Sequence, residues 1–375
     1  MLNMKTNLKF RLRKIVNASG RMTKLGVSTQ SKYVQDNMLY GSNNYFDIDE
    51  LYVQAGSYIA KMLEAEDAVV TSCASSGIVF TIAGLICGSN HRLVENLHIE
   101  KDNISKREVI LPKGHSVNYG APVHTMIELG GGKVVEVGNA NKVTRLDVES
   151  YISDKTLALF YVKSHHSVQK NMASIEEMHN LSQKYNIPLI IDAAAEEDLK
   201  TYYKQGADFV VYSGSKALCG PSSGFVLCRS KEQANNLRKQ YYGVGRSMKI
   251  GKENIFGLVA AIEEYYQEKE SIINNEDLQV LVDKFNKVEG LSATIAQDEA
   301  GREIYRCKLH VDEKVFGISG YDLNEKLKSG NPGIYCREHE VNLGNLSFDP
   351  RPLTSKEDLD LIYETVLKIG GKDEN

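Results

Sequence analysis

The feature that most constrains this chain is a repeated couplet: a short β-branched or aromatic run ending in small or polar residues, then an amphipathic stretch. Ala68–Thr71, Glu108–Leu111, Lys133–Val137, Thr156–Val162, Asn186–Asp192, Asp208–Tyr212 and Phe225–Cys228 read as strands. Between them, Ile48, Leu51, Tyr52, Ala55, Ile59 and Met62 fall on one helical face behind Asp47 as a cap. An apolar helix runs over Ile78–Cys87, and Ser174-Ile175-Glu176-Glu177 forms a capping box for a helix ending at Tyr185. Alternation of this kind predicts an α/β fold in which helices cover both faces of a mostly parallel sheet. The polar clusters then collect at the C-terminal ends of the strands.

One cluster carries a lysine where a surface charge is out of place. In DFVVYSGSKALCGPSSG, residues 208–224, Lys216 follows Ser213, Gly214 and Ser215, and Gly220, Pro221 and Gly224 lead into the next strand. The reading places Lys216 on a tight turn at a sheet edge, partly desolvated, which is what an amine nucleophile needs. Upstream, a strand ends in Asp192, and Ala193-Ala194-Ala195 leave room for a flat ring. A buried strand-end carboxylate near such a lysine is the pairing that holds pyridoxal phosphate (PLP): the lysine carries the aldehyde and the carboxylate keeps the pyridine nitrogen protonated. Taken alone, Asp192 also reads as a helix N-cap.

From about Asn17 to Ala261 the chain resembles the selenocysteine synthase-related branch of the aspartate aminotransferase superfamily, PLP fold type I, and within it the D-glucosaminate-6-phosphate ammonia-lyases. The resemblance is carried by NASGRMTKLG (17–26), DIDELYVQAG (47–56), KGHSVNYG (113–120), GGKVVEVGNAN (131–141), PLIIDAAAEED (188–198) and YSGSKALCGPSSG (212–224). It implies a large PLP-binding domain with a mostly parallel sheet and a smaller C-terminal α+β domain. The boundaries expected are an N-terminal arm at 1–44, the large domain at 45–247 and the small domain at 248–375.

The resemblance also assigns roles. The turn at Ser75, Ser76 and Gly77 would cradle the cofactor phosphate, as a helix N-terminus does for anions, although Ser75 also reads as a plain cap. Ser213 and Ser215 flank Lys216 at the same cofactor. His115 would stack on the ring, against the alternative of a buried structural histidine, and Tyr119, one helical turn on, would touch the same pocket. Arg351, in Asp349-Pro350-Arg351-Pro352, and Arg246, after Gly243-Val244-Gly245, are expected at the substrate's anions, with a surface charge as the alternative for each.

Composition narrows the function. The net charge is −4 and no basic stripe is present, which argues against a nucleic-acid partner. No apolar run reaches the length of a membrane span, so a cytoplasmic protein is expected. Six cysteines lack C-x-x-C spacing, and no metal site is predicted. The basic start Lys5–Lys14 and the rest of the first 44 residues read as an irregular arm, and the polar stretch 89–107 as a solvated loop, either lid or interface, despite His91, Glu95 and His98. A helix is expected over Glu253–Lys269, antiparallel strands over Tyr305–Leu309 and Glu340–Leu343, and a last helix over Ser355–Ile369. The expected function is a PLP-dependent ammonia-lyase acting on a small amino sugar acid, in a homo-oligomer of at least two chains. The competing expectations are selenium transfer to seryl-tRNA, disfavoured because NASG begins already at Asn17; a lyase or aldolase for another small amino acid; and a PLP-holding protein without turnover.

Overall fold

The computed structural model describes residues 12–164, 167–267, 272–298 and 303–372. Two compact units emerge, Met1–Ser28 with Glu268–Asn375, and Thr29–Gln267. The expected boundaries at 44 and 247 shift for two packing reasons. Strand β1 (Ile15–Ala18) pairs in parallel with a strand near the C-terminus, Gly333–Cys336, which ties the start of the chain to the smaller unit. Helix α1 (Lys32–Asn43) packs on the helix over Lys252–Tyr265 so closely that a Cβ at Gly41 would lie 2.8 Å from the Phe256 ring, which keeps both in the larger unit. The arm is therefore not irregular. Its residues Lys5–Arg11 lie outside the described residues.

The larger unit is a seven-stranded sheet. Its strands are β2 (Asp67–Thr71), β3 (Glu108–Pro112), β4 (Lys133–Val137), β5 (Thr156–Val162), β6 (Leu189–Asp192), β7 (Phe209–Ser213) and β8 (Gly224–Cys228), in the order β2-β8-β7-β6-β5-β3-β4. All pairs are parallel except those that β8 makes with β2 and β7. Apart from the edge strand β4, the strands are buried on both faces, so their sequences are mostly continuous apolar runs rather than alternating ones. Helix α2 (Ile48–Leu63) is capped by Asp47, whose carboxylate accepts from the amides of Asp49 and Glu50, and α3 (Ala74–Cys87) crosses the sheet. Gly77 lets α3 sit down on the strands, since a Cβ there would meet Val211 and Val226 at 2.9 and 3.0 Å.

The stretch expected as a solvated loop at 89–107 instead carries helix α4 (His91–Glu100), capped by Asn90, with Val94 and Leu97 buried against Ala83 and Cys87 of α3. His91 and Glu95 pair with each other on its exposed side. Among the described residues no single helix is long and apolar enough to cross a membrane.

The smaller unit has two sheets. In the first, β1 pairs with β11 (Gly333–Cys336); in the second, β9 (Leu291–Gln297), β10 (Tyr305–Val311) and β12 (Asn345–Phe348) run antiparallel in the order β12-β10-β9. Glu340–Leu343, expected as a strand, ends instead in a 3-10 turn over Val341–Leu343, and the strand begins at Asn345. The final helix spans Glu357–Ile369. The helix expected to reach Lys269 stops at Tyr265, and residues 268–271 lie outside the described residues.

One buried ion pair anchors the edge of the large sheet. Arg238, closing the helix over Lys231–Arg238, grips Asp67 at the start of β2 through two bonds of 2.9 and 2.7 Å and also donates to the Ala68 carbonyl. Removing one partner strands a buried charge. Arg238→Ala should therefore lower unfolding stability by about 3–5 kcal/mol in urea titrations, a loss that a surface pair would not produce.

Candidate active site

The sheet brings the sequence motifs to one rim. Strands β2, β3, β5, β6 and β7 all end there, and β8, running the other way, begins there. Lys216 lies in the connection between β7 and β8, three residues past the last ladder pair, Ser213 with Gly224. Its turn thus joins the second and third strands of the seven, one strand in from the β2 edge, with β6 and β2 as the outer neighbours. The turn is tightly built. The Gly214 amide donates to the Ser223 carbonyl and the Gly220 amide to the Gly214 carbonyl, both at 2.8 Å, leaving Lys216 half-buried. Ser213 and Ser215 place their hydroxyls 3.3 Å apart beside it.

Asp192 ends β6, in register with Val162 of β5 and Val211 of β7. It is 5% exposed, and its Oδ1 accepts from the Ala194 N–H at 3.1 Å. Burial pushes its carboxyl above the ordinary range, while the Ala194 amide and the charge of Lys216 pull it back. That coupling puts the lysine and the carboxylate in one electrostatic neighbourhood, as the sequence reading requires of them.

The phosphate-cradle motif is arranged differently from its sequence reading. Cys73, not Ser75, is the N-cap of α3: its Sγ accepts from the Ser76 amide, and Ser76 Oγ accepts from the Cys73 amide and donates to the Cys73 carbonyl. The Ser76 hydroxyl is consumed in this capping box, whereas Ser75 is half-buried and faces Tyr119. The first-turn amides of Ala74 and Ser75 have no acceptor within the helix, as at any helix start. Gly224 holds this turn against the sheet, because a Cβ there would come within 2.5 Å of the Cys73 carbonyl carbon. The Cys73 cap was missed in the sequence because cysteine is a poor capping residue and only the local geometry shows it.

Two expectations about β3 and its exit change. Residues 116–122, beyond the 3-10 turn at Lys113–His115, are not helical, so Tyr119 reaches the site from a loop bridged between Asn118 and Pro122. His115 is fully buried. The Val162 N–H donates to its Nδ1 at 3.3 Å and its Nε2 bonds the Val168 carbonyl at 3.1 Å, so both ring nitrogens are taken by backbone. Tyr161 packs edge-on against the ring. Burial pulls its pKa down to about 4, and no face of the neutral ring is open for stacking. His165 and His166 lie outside the described residues.

The residues at this rim fit a PLP-sized group on one further observation. The Tyr119 hydroxyl is buried and makes no well-formed hydrogen bond among the described residues, with the Ser75 hydroxyl as its polar neighbour and Cys73 and Asp192 close by. Burial and then the Asp192 charge push its pKa up, so it stays a donor. A buried hydroxyl with nothing to bond costs about 1–3 kcal/mol, which a ligand acceptor would remove.

Of the two expected substrate arginines, Arg246 belongs to the larger unit and Arg351 to the smaller. Arg246 is exposed and lines two clefts, one of about 830 Å³ with His98, Lys101 and Tyr242, the other of about 340 Å³ with Asp49, Tyr52 and Lys249. Neither includes Ser75, Tyr119, Asp192 or Lys216. Arg351 belongs to the smaller unit, where its Nε and Nη2 bond the two oxygens of Asp349 at 3.0 and 2.9 Å.

Asp192 gives a pH-dependent test. Because its folded-state pKa is raised, the protein bears a cost above the unfolded carboxyl pKa that grows as pH rises to the folded value and then stays constant; below the unfolded value it vanishes. In protein freed of cofactor, Asp192→Asn should therefore raise the unfolding temperature at pH 7, and the gain should shrink as pH falls toward 4. An unchanged midpoint at pH 7 would mean that the carboxylate is compensated by protein groups.

Comparison with known proteins follows the same lines. The family model described as L-seryl-tRNA selenium transferase (SelA) matches residues 15–320. The chain is 41% identical over 346 residues to the D-glucosaminate-6-phosphate ammonia lyase of Salmonella typhimurium, covering 92% of this chain and 93% of the relative. It is 38% identical over 345 residues to a 5'-C-glycyluridine monooxygenase-decarboxylase of a Streptomyces species, covering 91% and 86%. A solved D-glucosaminate-6-phosphate ammonia-lyase structure superposes with a TM-score of 0.91 at 40% identity over 96% of each chain. The chain has the PLP fold type I architecture and belongs to the SelA family.

Proposed function

We propose that this protein is a PLP-dependent ammonia-lyase that removes the β-hydroxyl of an amino sugar acid of the D-glucosaminate 6-phosphate class, giving a 2-keto-3-deoxy acid and ammonia. The observation that carries the reading is the coupling of half-buried Lys216 to buried Asp192 at a rim shared with the buried, poorly bonded Tyr119 hydroxyl. The ammonia lyase relative, alike over nearly the whole chain, supports the reaction type.

The residues divide the work. Lys216 would hold the cofactor aldehyde at Nζ and, once the substrate amine takes that place, accept the Cα proton. Asp192 would hold a proton on the pyridine nitrogen; its single amide partner leaves carboxylate capacity for that bond. The α3 start, Ala74 and Ser75, would take the phosphate, with Tyr119 donating at the same side and Ser213 and Ser215 beside the lysine. PLP bound there supplies an electron sink for the carbanion formed at Cα. Loss of the Cα proton and the β-hydroxyl amounts to loss of water, and hydrolysis of the resulting enamine returns that water and frees ammonia. The net change is therefore substrate to keto acid plus ammonia. Arg246, apart from this rim in its own chain, would serve a neighbouring chain's substrate in an assembly of two or more.

The Streptomyces relative carries an oxidative name on a similar sequence, so the test must separate elimination from oxygen use. With D-glucosaminate 6-phosphate the protein should release ammonia and a keto acid in equal amounts without consuming oxygen, and Lys216→Ala should lower the rate by at least about 10³-fold. Oxygen uptake with loss of carbon dioxide, or no turnover of any amino sugar acid, would overturn the reading.

A further inference from the structure

The smaller unit contains a charge cluster that the lysine chemistry does not use. On β10, Arg306 and Lys308 lie on one face, because residues two apart in a strand share a face, while Cys307 between them enters the core. Across the ladder Ser347 faces Lys308, and Asp349 lies one step past the end of β12 on the same side. Arg337, just after β11, exchanges backbone bonds of 2.9 and 3.2 Å with Ser347 and so joins that face.

Most of these charges are paired. Arg306, 5% exposed, pairs with Asp298 and Asp349 at 2.9 Å each; Arg351 grips both oxygens of Asp349; Lys308 pairs with Glu340. Arg337, by contrast, has no ion pair or side-chain hydrogen bond among the described residues. Its guanidinium is half-buried. Burial, with Arg306 and Arg351 as like-charged neighbours, pulls its pKa below the usual guanidinium value, while Asp349 and Asp298 offset part of that. A cation partly removed from water and left over after local pairing is costly unless an anion arrives. Gly20 closes one side of the cluster by backbone alone: its φ is +95°, and a Cβ there would lie 3.3 Å from Asp349 Oδ2.

We propose that Arg337 is an oxyanion-binding residue, whose unpaired fork takes the carboxylate or the phosphate of a small anionic molecule at a site built within the smaller unit. Its planar donors suit either group through two parallel bonds, which a lysine cannot make. Arg351, the arginine singled out in the sequence, is committed to Asp349 and acts as the wall of that site rather than as its ligand. Only the identity of the ligand rests on the amino sugar acid reading, which supplies both a carboxylate and a phosphate.

The test uses cofactor-loaded protein and compares wild type with Arg337→Gln. At constant ionic strength, inorganic phosphate or acetate should raise the wild-type unfolding temperature above that in chloride, and the variant should lose this response while its midpoint in chloride is unchanged or higher. Arg306→Gln should lower that midpoint, as loss of a structural pair does. Calorimetric binding of 6-phosphogluconate should weaken at least about tenfold in Arg337→Gln. A matching loss for gluconate assigns the carboxylate, and a matching loss for sorbitol 6-phosphate assigns the phosphate. Equal responses of wild type and variant to phosphate and acetate would overturn the proposal. If Arg337 governs the small anions while wild type binds none of the sugar acids, the oxyanion site stands and the amino sugar acid reading falls.

Discussion

Burying a carboxylate at the end of a central strand, with one amide as its bonded partner, is the constraint on which the larger unit turns. Asp192 occupies that position at the end of β6, between β5 and β7, and is only 5% exposed. A chain that accepts such a cost must gain something at that point, and the neighbours show what: Lys216 arrives from the β7–β8 connection, Tyr119 from the loop after β3, and the start of α3 from β2. The reversal of β8 matters here. An antiparallel partner keeps the connection short and on one rim, whereas a parallel one would have carried the lysine away through a crossover.

The same physics marks both units. In the larger one, a carboxylate and a phenol are buried with fewer partners than they can use; in the smaller one, a guanidinium is left over when its neighbours have paired. Structural charges in this protein look different. Arg238 with Asp67, and Arg306 with Asp298 and Asp349, meet their counterions at normal bonding distance, although Arg238 Nε and Arg306 Nη2 make no hydrogen bond of their own among the described residues. For the buried cations, a counterion in contact therefore marks those that hold the fold, a distinction that residue type alone does not provide.

The strands and their polar ends were legible in the sequence because buried parallel strands are continuous apolar runs, and Lys216 and Asp192 stood out against that background. What was not legible depended on partners remote in sequence. The polar stretch around His91 conceals a helix because few of its residues, Val94 and Leu97 with Leu93 beside them, pack inward against its many charges. Glu340–Leu343 alternates like a strand, yet Gly344 at φ +80° turns the chain before pairing begins at Asn345. His115 reads as a stacking residue in the sequence, but packing around it leaves the ring fully buried. Arg337 carried no signal at all, since its lack of a partner is a property of strands β10 and β12 rather than of its own neighbours in the chain.

The central claim is that Lys216 is the residue that holds the cofactor. Protein loaded with PLP, reduced with borohydride, digested and mapped by mass spectrometry tests it most directly. The account predicts a pyridoxyl label on the peptide containing Ser213-Gly214-Ser215-Lys216. A label on any other lysine, or none in protein that has taken up PLP, would contradict it.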